Sequence, residues 1–363
     1  MALRFHWRLP HGGETSGSTR AAQSKPAIGL PDLEAQINFC RQAEECGIDS
    51  LLTDFGSAKP DSILLACALG LATEKIKFIV AYRSGLLSPT TFVQQLNTLS
   101  ALIQGRFSLN IVAGYSPQEQ RSYGDFLSHD ERYARTEEFL AVCHAFWRGE
   151  GEVNFKGKYY EIENGRLNTP FVSAERRSPE IFIGGSSPPA QTLAVKHGSC
   201  WMRLAETPEK LESTVAPILE TGTEVGLRLS IISRPTREEA VRAAYSLIEG
   251  LDEGEKKVEK DFVQRSDSVS INSTYNLADT EWLTPNLWTG AVRSHGAPSI
   301  ALVGAPEEVA NALMEYGRIG ISQFILAGWP KLDSMIFFGR EILPLIRKRE
   351  MEAASNVQTA VSA

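Results

Sequence analysis

Apolar and polar positions alternate along this chain in two periods that take turns, one of about two residues and one of about three and a half. Leu3 to Pro10 places Phe5, Trp7 and Leu9 on one parity, a short strand, and a polar loop follows from His11 to Gly29. Leu33, Ile37, Cys40 and Ala43 mark one face of a helix from about Pro31 to Cys46, stopped by Gly47. Ser50 to Thr53 is a second strand, Asp61 to Leu71 a helix, Ile76 to Ala81 a strand and Pro89 to Ile103 a helix ended by Gly105. Phe107 to Ala113 is a strand closed by Gly114, and a helix with an acidic start runs from about Glu131 to Trp147. Glu152 to Ile162 alternates like a small hairpin, and Pro179 opens the strand Ile181-Phe182-Ile183 ahead of a helical run from Ala190 to His197.

The second half keeps the rhythm. Cys200 to Leu204 and Leu227 to Ser233 are strands, each followed by a helix, Thr207 to Glu220 and Thr236 to Glu249. Residues 251 to 297 break the pattern with a charged run, Asp252 to Asp261, and no clear strand until Ser299 to Val303, which predicts an insertion acting as a lid. Glu307 to Gly317 is then a helix, Gln323 to Ala327 a strand, and Leu332 to Arg349 a closing helix before a disordered tail, 351 to 363. Leaving Ser299 to Val303 aside, eight strands mostly separated by helices predict a single α/β domain over residues 1 to 350, a (β/α)₈ TIM barrel.

Composition narrows the function classes. A 363-residue chain is longer than a usual domain, but one barrel takes about 250 residues and accepts insertions. The formal net charge of -7 disfavours nucleic acid or an anionic membrane as the main partner. Five scattered cysteines without a Cys-x-x-Cys pair suit a reducing cytoplasm and argue against a zinc site or a disulfide framework. No apolar run reaches the roughly 18 residues that span a bilayer, and the N-terminus lacks a signal-like segment, so a cytoplasmic enzyme is expected.

In such a barrel chemistry sits at the C-terminal ends of the strands. Those positions carry Pro10-His11-Gly12, Asp54 and Phe55, Tyr82-Arg83-Ser84, Gly114-Tyr115-Ser116, Gly184-Gly185-Ser186-Ser187, Arg228 and Gly328-Trp329-Pro330. The Gly-Gly-Ser-Ser turn between a buried strand and a helix is a candidate phosphate site, because glycine admits close backbone approach and helix N-termini favour anions. An ordinary serine-capped turn has the same seven residues. No Gly-x-Gly-x-x-Gly follows a strand, so a built-in nicotinamide unit is not expected.

The order of motifs along the chain resembles the bacterial-luciferase-like, flavin-dependent monooxygenases, and most closely their alkanesulfonate monooxygenase branch. The resemblance rests on Trp7-x-Leu9-Pro10-His11-Gly12, Phe78-Ile79-Val80-Ala81-x-Arg83 with Ser88-Pro89-Thr90, and Gly105-Arg106-Phe107-x-x-Asn110-x-Val112-x-Gly114 with Pro117-Gln118-Glu119. It continues through His129-x-Glu131-Arg132-Tyr133, Phe182-x-Gly184-Gly185-Ser186-Ser187, Pro285-Asn286-Leu287-Trp288-x-Gly290, Ala301-Leu302-Val303-Gly304 and Leu326-x-Gly328-x-Pro330.

What the resemblance implies is a barrel that takes reduced FMN (FMNH2) from a separate NAD(P)H-dependent flavin reductase. Oxygen (O2) adds to the flavin, and the resulting peroxide oxidises a small polar or anionic organic substrate. It implies that Tyr133 and Gly185, Ser186 and Ser187 hold the FMN phosphate, with Asn110, Ala113 and Gly114 near the isoalloxazine, and that the chain forms a homodimer or homotetramer. The substrate side departs from the sulfonate branch: Arg228 and His11 are kept, but Ser230 stands for a histidine, Lys59 for a cysteine and Trp329 for a tyrosine. The lid arginine aligns with His295 or, shifted, with Arg293. The bond oxidised is therefore left open. A deazaflavin (coenzyme F420) oxidoreductase, a natural-product C- or N-oxidising enzyme and a catalytically silent flavin binder remain alternatives on the same barrel.

Overall fold

The structure, a computed structural model, describes residues 2–10, 19–23 and 30–361. Its strands in chain order are β1 (Arg4–Arg8), β2 (Ser50–Thr53), β3 (Lys77–Arg83), β4 (Phe107–Val112), β5 (Val153–Lys156), β6 (Glu161–Gly165), β7 (Ile181–Gly184), β8 (Cys200–Leu204), β9 (Glu224–Ser233), β10 (Leu287–Trp288), β11 (Ala301–Gly304) and β12 (Ile321–Gly328). Eight of them, β1-β2-β3-β4-β7-β8-β9-β12, pair in parallel and β12 returns to β1, so the ring closes as a TIM barrel. These are the eight strands the periodicity predicts.

The helices are α1 (Arg20–Gln23), α2 (Leu33–Glu45), α3 (Ser62–Leu71), α4 (Pro89–Leu102), α5 (Pro117–Ser122), α6 (His129–Arg148), α7 (Pro188–His197), α8 (Pro208–Leu219), α9 (Arg237–Ile248), α10 (Glu253–Arg265), α11 (Val269–Leu277), α12 (Val292–His295), α13 (Pro306–Arg318), α14 (Lys331–Phe337) and α15 (Leu343–Val361). Both faces of the ring are covered, which is why its strands read as continuous apolar runs. Inside lie Leu52, Ile79, Ala81, Phe182, Cys200, Met202 and Ile325, all buried. Outside, Phe5, Trp7, Phe78, Val80 and Phe324 pack against the helices.

Local signals position the elements that matter most. Asp61 caps α3 by accepting from the Ile63 and Leu64 amides, and Ser128 with Glu131 forms a capping box that starts α6. Gly149, at φ 68, ends α6 in the left-handed conformation glycine tolerates.

β11 stands outside the ring. The pairing of β8 with β9 ends at Leu204 and Arg228, and from Ser230 to Ser233 the same edge of β9 is taken up by Ala301 to Gly304. The other edge of β9 pairs with β12 as far as Ile231.

Two expectations change. The insertion, expected as a lid with no clear strand and no assigned helix, folds into α10, α11, β10 and α12. Its charged run disguised α10 because only Glu259 and Val263 are buried on that helix. The closing helix expected from Leu332 to Arg349 divides, and its last part, α15, runs to Val361, in keeping with a sequence that carries no glycine or proline from Leu345 onward.

Candidate functional site

The C-terminal ends of the strands open on a cavity of about 820 Å³. One end is built around the turn after β7. Gly185 has φ +127, and a Cβ there would sit 2.9 Å from Tyr133 Oη and 2.9 Å from the Ala190 Cβ. The turn thus has room for backbone alone, with the phenol of α6 directly above it. Ser187, at the N-cap of α7, is buried; its Oγ caps nothing on its own helix and makes no hydrogen bond of normal geometry, although it is near enough to the Tyr133 phenol to influence it. Burial pushes the Tyr133 phenol above its usual value, against a weaker downward pull from Ser187, so it stays protonated and able to donate. A helix start normally presents free amides to an anion, but here the first two positions are Pro188 and Pro189, which have no N–H.

β4 supplies the adjoining wall. Asn110 Oδ1 lies 3.9 Å from where a Gly184 Cβ would be, and Ala113 and Gly114 follow at the strand end. Gly114 is required there: at φ +92, a Cβ would meet the Gln120 side chain at 2.6 Å. Gln120 is itself held by Arg83 (2.7 Å) and Asp125 (3.0 Å), and the buried Arg132 donates to Ala113 O at 2.9 Å. Arg83, ion-paired with Glu119, therefore props the wall from behind.

The other end is cationic. Asp54, buried after β2, is ringed by Arg8 Nε of β1 at 2.6 Å, Lys59 Nζ at 3.2 Å and Arg228 Nη2 of β9 at 3.3 Å. Burial lowers the Lys59 ammonium to about 8, with Asp54 pulling it back up, and lowers the Arg228 guanidinium against the same carboxylate. Arg228 nevertheless stays charged at any ordinary pH. Among the described residues the cavity wall carries six cations, Arg8, Arg20, Lys59, Arg203, Arg228 and Arg265, against the carboxylates Asp54, Glu119 and Asp261, although the whole chain is acidic. Trp329 and His295 meet edge to face at 5.7 Å beside this end. Burial lowers His295 to about 4, so it is neutral at pH 7. Ser230 Oγ donates to Pro298 O at 3.0 Å and offers no titrating group where the sulfonate branch has histidine.

The insertion forms the roof. Ser266 Oγ donates to Tyr115 O at 2.7 Å, Asp267 pairs with Arg132 at 2.6 Å and Ser270 Oγ donates to Ser186 Oγ at 2.9 Å. Arg20 of α1 lies 3.4 Å over the Phe262 ring and pairs with Glu259 of α10.

Asn110, Ala113, Gly114, Tyr133, Gly185, Arg228, His295 and Trp329 thus line one cavity, with Ser186 and Ser187 immediately behind Gly185. Arg293 is not part of that wall; it pairs with Asp279 and lies over the Tyr275 ring at 5.4 Å. His11 falls outside the described residues. Sequence reasoning missed Arg8, although its parity gives it away: Phe5, Trp7 and Leu9 face the helices, so Arg8 shares the inward parity of the buried His6.

The profile described as "Luciferase-like monooxygenase" matches residues 3–323. Among solved structures, the chain is similar to the EDTA monooxygenase EmoA from Chelativorans sp. BNC1, at 21% identity and TM-score 0.77 over 96% of this chain and 94% of that one. It is similar to a riboflavin lyase, RcaE, solved with modified FMN and riboflavin, at 21% identity and TM-score 0.75 over 96% and 92%. An F420-dependent secondary alcohol dehydrogenase shares the fold at 18% identity and TM-score 0.66 over 95% and 99%. With a match over nearly its whole length, the chain belongs to the luciferase-like monooxygenase family.

Proposed function

We propose that the protein binds reduced FMN at the Gly185 turn and uses it with oxygen to oxidise a small polar or anionic organic molecule held at the Asp54 end. The observation that carries this reading is the cradle itself. A side chain at Gly185 would fill it, the Ser187 hydroxyl is buried without a satisfied hydrogen bond, and the Tyr133 phenol projects over both. A buried hydroxyl left unpaired costs stability, so its retention suits a ligand that accepts from it. FMN bound there would supply two-electron activation of oxygen.

The protein's own groups have separable tasks. Tyr133, Ser186 and Ser187 would hold the phosphate, while Asn110 and the Ala113-Gly114 backbone would flank the ring system. Arg8, Lys59 and Arg228 attract and orient an anionic group, and excess positive charge in a poorly solvated wall makes that attraction strong. Lys59, titrating near 8, is also able to give or take a proton at working pH. An alkanesulfonate satisfies this end, as does another small organic acid. The roof of α10 and α11 excludes water. A separate flavin reductase, a cytoplasmic setting and assembly as a homodimer or homotetramer belong to the same proposal. The five cysteines, all free, agree with a reducing compartment, and the exposed Leu64 and Leu71 of α3 give a subunit contact an apolar face. No helix among the described residues is long and apolar enough to cross a membrane.

The test is equilibrium titration with FMN, riboflavin and coenzyme F420 in both redox states, then oxygen uptake with a flavin reductase, NADH and a panel of small organic acids. Tighter binding of FMN than of riboflavin, with acid-dependent oxygen uptake and product formation, is expected. Hydride transfer with F420 alone, or flavin binding without turnover of any acid, would overturn the assignment.

A further inference from the structure

The barrel's phosphate cradle is short of donors. Pro188 and Pro189 remove two of the amides that a helix start normally presents, and the Gly185 N–H is already given to Met202 O at 3.3 Å. Opposite this turn lies the start of a second helix from a different part of the chain. α11, with Ser268 as its N-cap, begins in the roof, and Ser268, Ser270 and Ile271 all face the cavity. Ser270 Oγ donates across the gap to Ser186 Oγ. The N-terminal ends of α7 and α11 therefore meet through the Ser186–Ser270 contact, and the next residue, Ser187, is 4% exposed beside Tyr133 with no hydrogen-bond partner for its hydroxyl.

The segment is fixed in place on both sides of that point. Ser266 holds the Tyr115 carbonyl, and Asp267 holds Arg132, the residue next to Tyr133. Anything gripped by Tyr133 and Ser187 is consequently within the reach of the roof as well as of the barrel. Two helix N-termini and up to four hydroxyls around one gap make a site for a doubly charged phosphate monoester, and a poor one for a neutral hydroxyl.

We infer that Ser270 and the start of α11 form the roof's half of the cofactor-phosphate site, so that the insertion recognises the phosphate of the flavin directly. This rests on the reading that the Gly185 turn takes a flavin phosphate. It makes the insertion a selectivity element for FMN over riboflavin as well as a cover for the substrate.

The experiment compares the Kd values of FMN and riboflavin, by fluorescence titration, for the unaltered protein, Ser270→Ala and Ser270→Thr. The expected result is that Ser270→Ala reduces the preference for FMN by about tenfold or more, as loss of a hydrogen bond to a charged group does, with riboflavin affinity unchanged. Ser270→Thr, which keeps the hydroxyl, should retain most of the preference. In parallel, FMN but not riboflavin should slow tryptic cleavage after Lys256, Lys257, Lys260 and Arg265 of α10. If the unaltered protein prefers FMN and Ser270→Ala keeps that preference in full, the roof takes no part and the inference is wrong while the flavin reading stands. If the unaltered protein binds FMN and riboflavin equally or not at all, the flavin-phosphate reading itself fails.

Discussion

Replacing Gly185 by alanine puts the cofactor assignment to its most direct trial. The new methyl would lie 2.9 Å from both Tyr133 Oη and the Ala190 Cβ, so each neighbour has to yield by roughly 0.6 Å to reach ordinary contact at about 3.5 Å. Ala190 sits in the first turn of α7, packed and fully buried, and yields little; the phenol at the end of a longer side chain is what moves. Backbone strain adds to this, since φ +127 is a region that non-glycine residues enter at about 1–3 kcal/mol. Displacing the Tyr133 hydroxyl from a phosphate forfeits about 1.5–3 kcal/mol of charged hydrogen bond, which weakens FMN about 10- to 150-fold. Gly222→Ala is the matching control: it too has a positive φ, +84, but nothing within 4 Å, so it carries backbone strain without any steric effect on the cavity. Both variants should melt earlier than the unaltered protein. Only Gly185→Ala should lose FMN affinity in a fluorescence titration, and should lose more of it than of riboflavin affinity. Unchanged FMN binding by a folded Gly185→Ala protein would refute the cradle.

Three further outcomes are expected. Arg228→Ala should raise the KM for an anionic substrate at least about tenfold while the FMN Kd stays nearly constant, because Arg8 and Lys59 remain on Asp54 and the phosphate end is untouched; equal losses in both would mean the arginine is structural. Affinity for an anionic substrate should fall as pH rises through about 8, where Lys59 loses its charge, and Lys59→Met should flatten that profile; a profile unaltered by the substitution would remove Lys59 from the binding end. His197 and His295 are both lowered to about 4 by burial, His197 with added repulsion from His144, against an ordinary value near 6.5. The unfolded chain thus binds more protons between those values, so the melting temperature should hold above about pH 6.5 and decline as pH falls towards 4, which a differential scanning pH series measures.

The ring was legible because its strands are buried on both faces and separated by helices with clear caps and stops, so each apolar run between two helical segments had one reading. The exclusion of Ser299 to Val303 from the eight was legible for a related reason, since the insertion ahead of it broke the alternation. The phosphate turn was visible as residues, but its donor supply was not worked out: Pro188 and Pro189 stand in the sequence, and with them the loss of two amides. The Asp54 cluster was hidden because it joins β1, the end of β2 and β9, whose partners are 46 and 174 positions apart, and local periodicity says nothing about such pairs. α10 escaped because the charged run Asp252 to Asp261 dominates its composition, and α11 because only Thr274 of it is buried.

The departure of β8 from β9 after Leu204 divides what in this molecule is free to vary. The strands that present Asn110 and Gly185 are each gripped by neighbours on two sides, and altering their length would open the closed ring. β11 is held to that ring only along Ser230 to Ser233, and the 251–297 segment enters the fold just ahead of it. Insertions, deletions and new side chains can accumulate in β11 and in the residues 278–300 that lead into it without opening the ring. Under the proposed function, engineering of new substrates is best aimed at 286–300 and the outer half of β9, which leaves the Gly185 turn as it is.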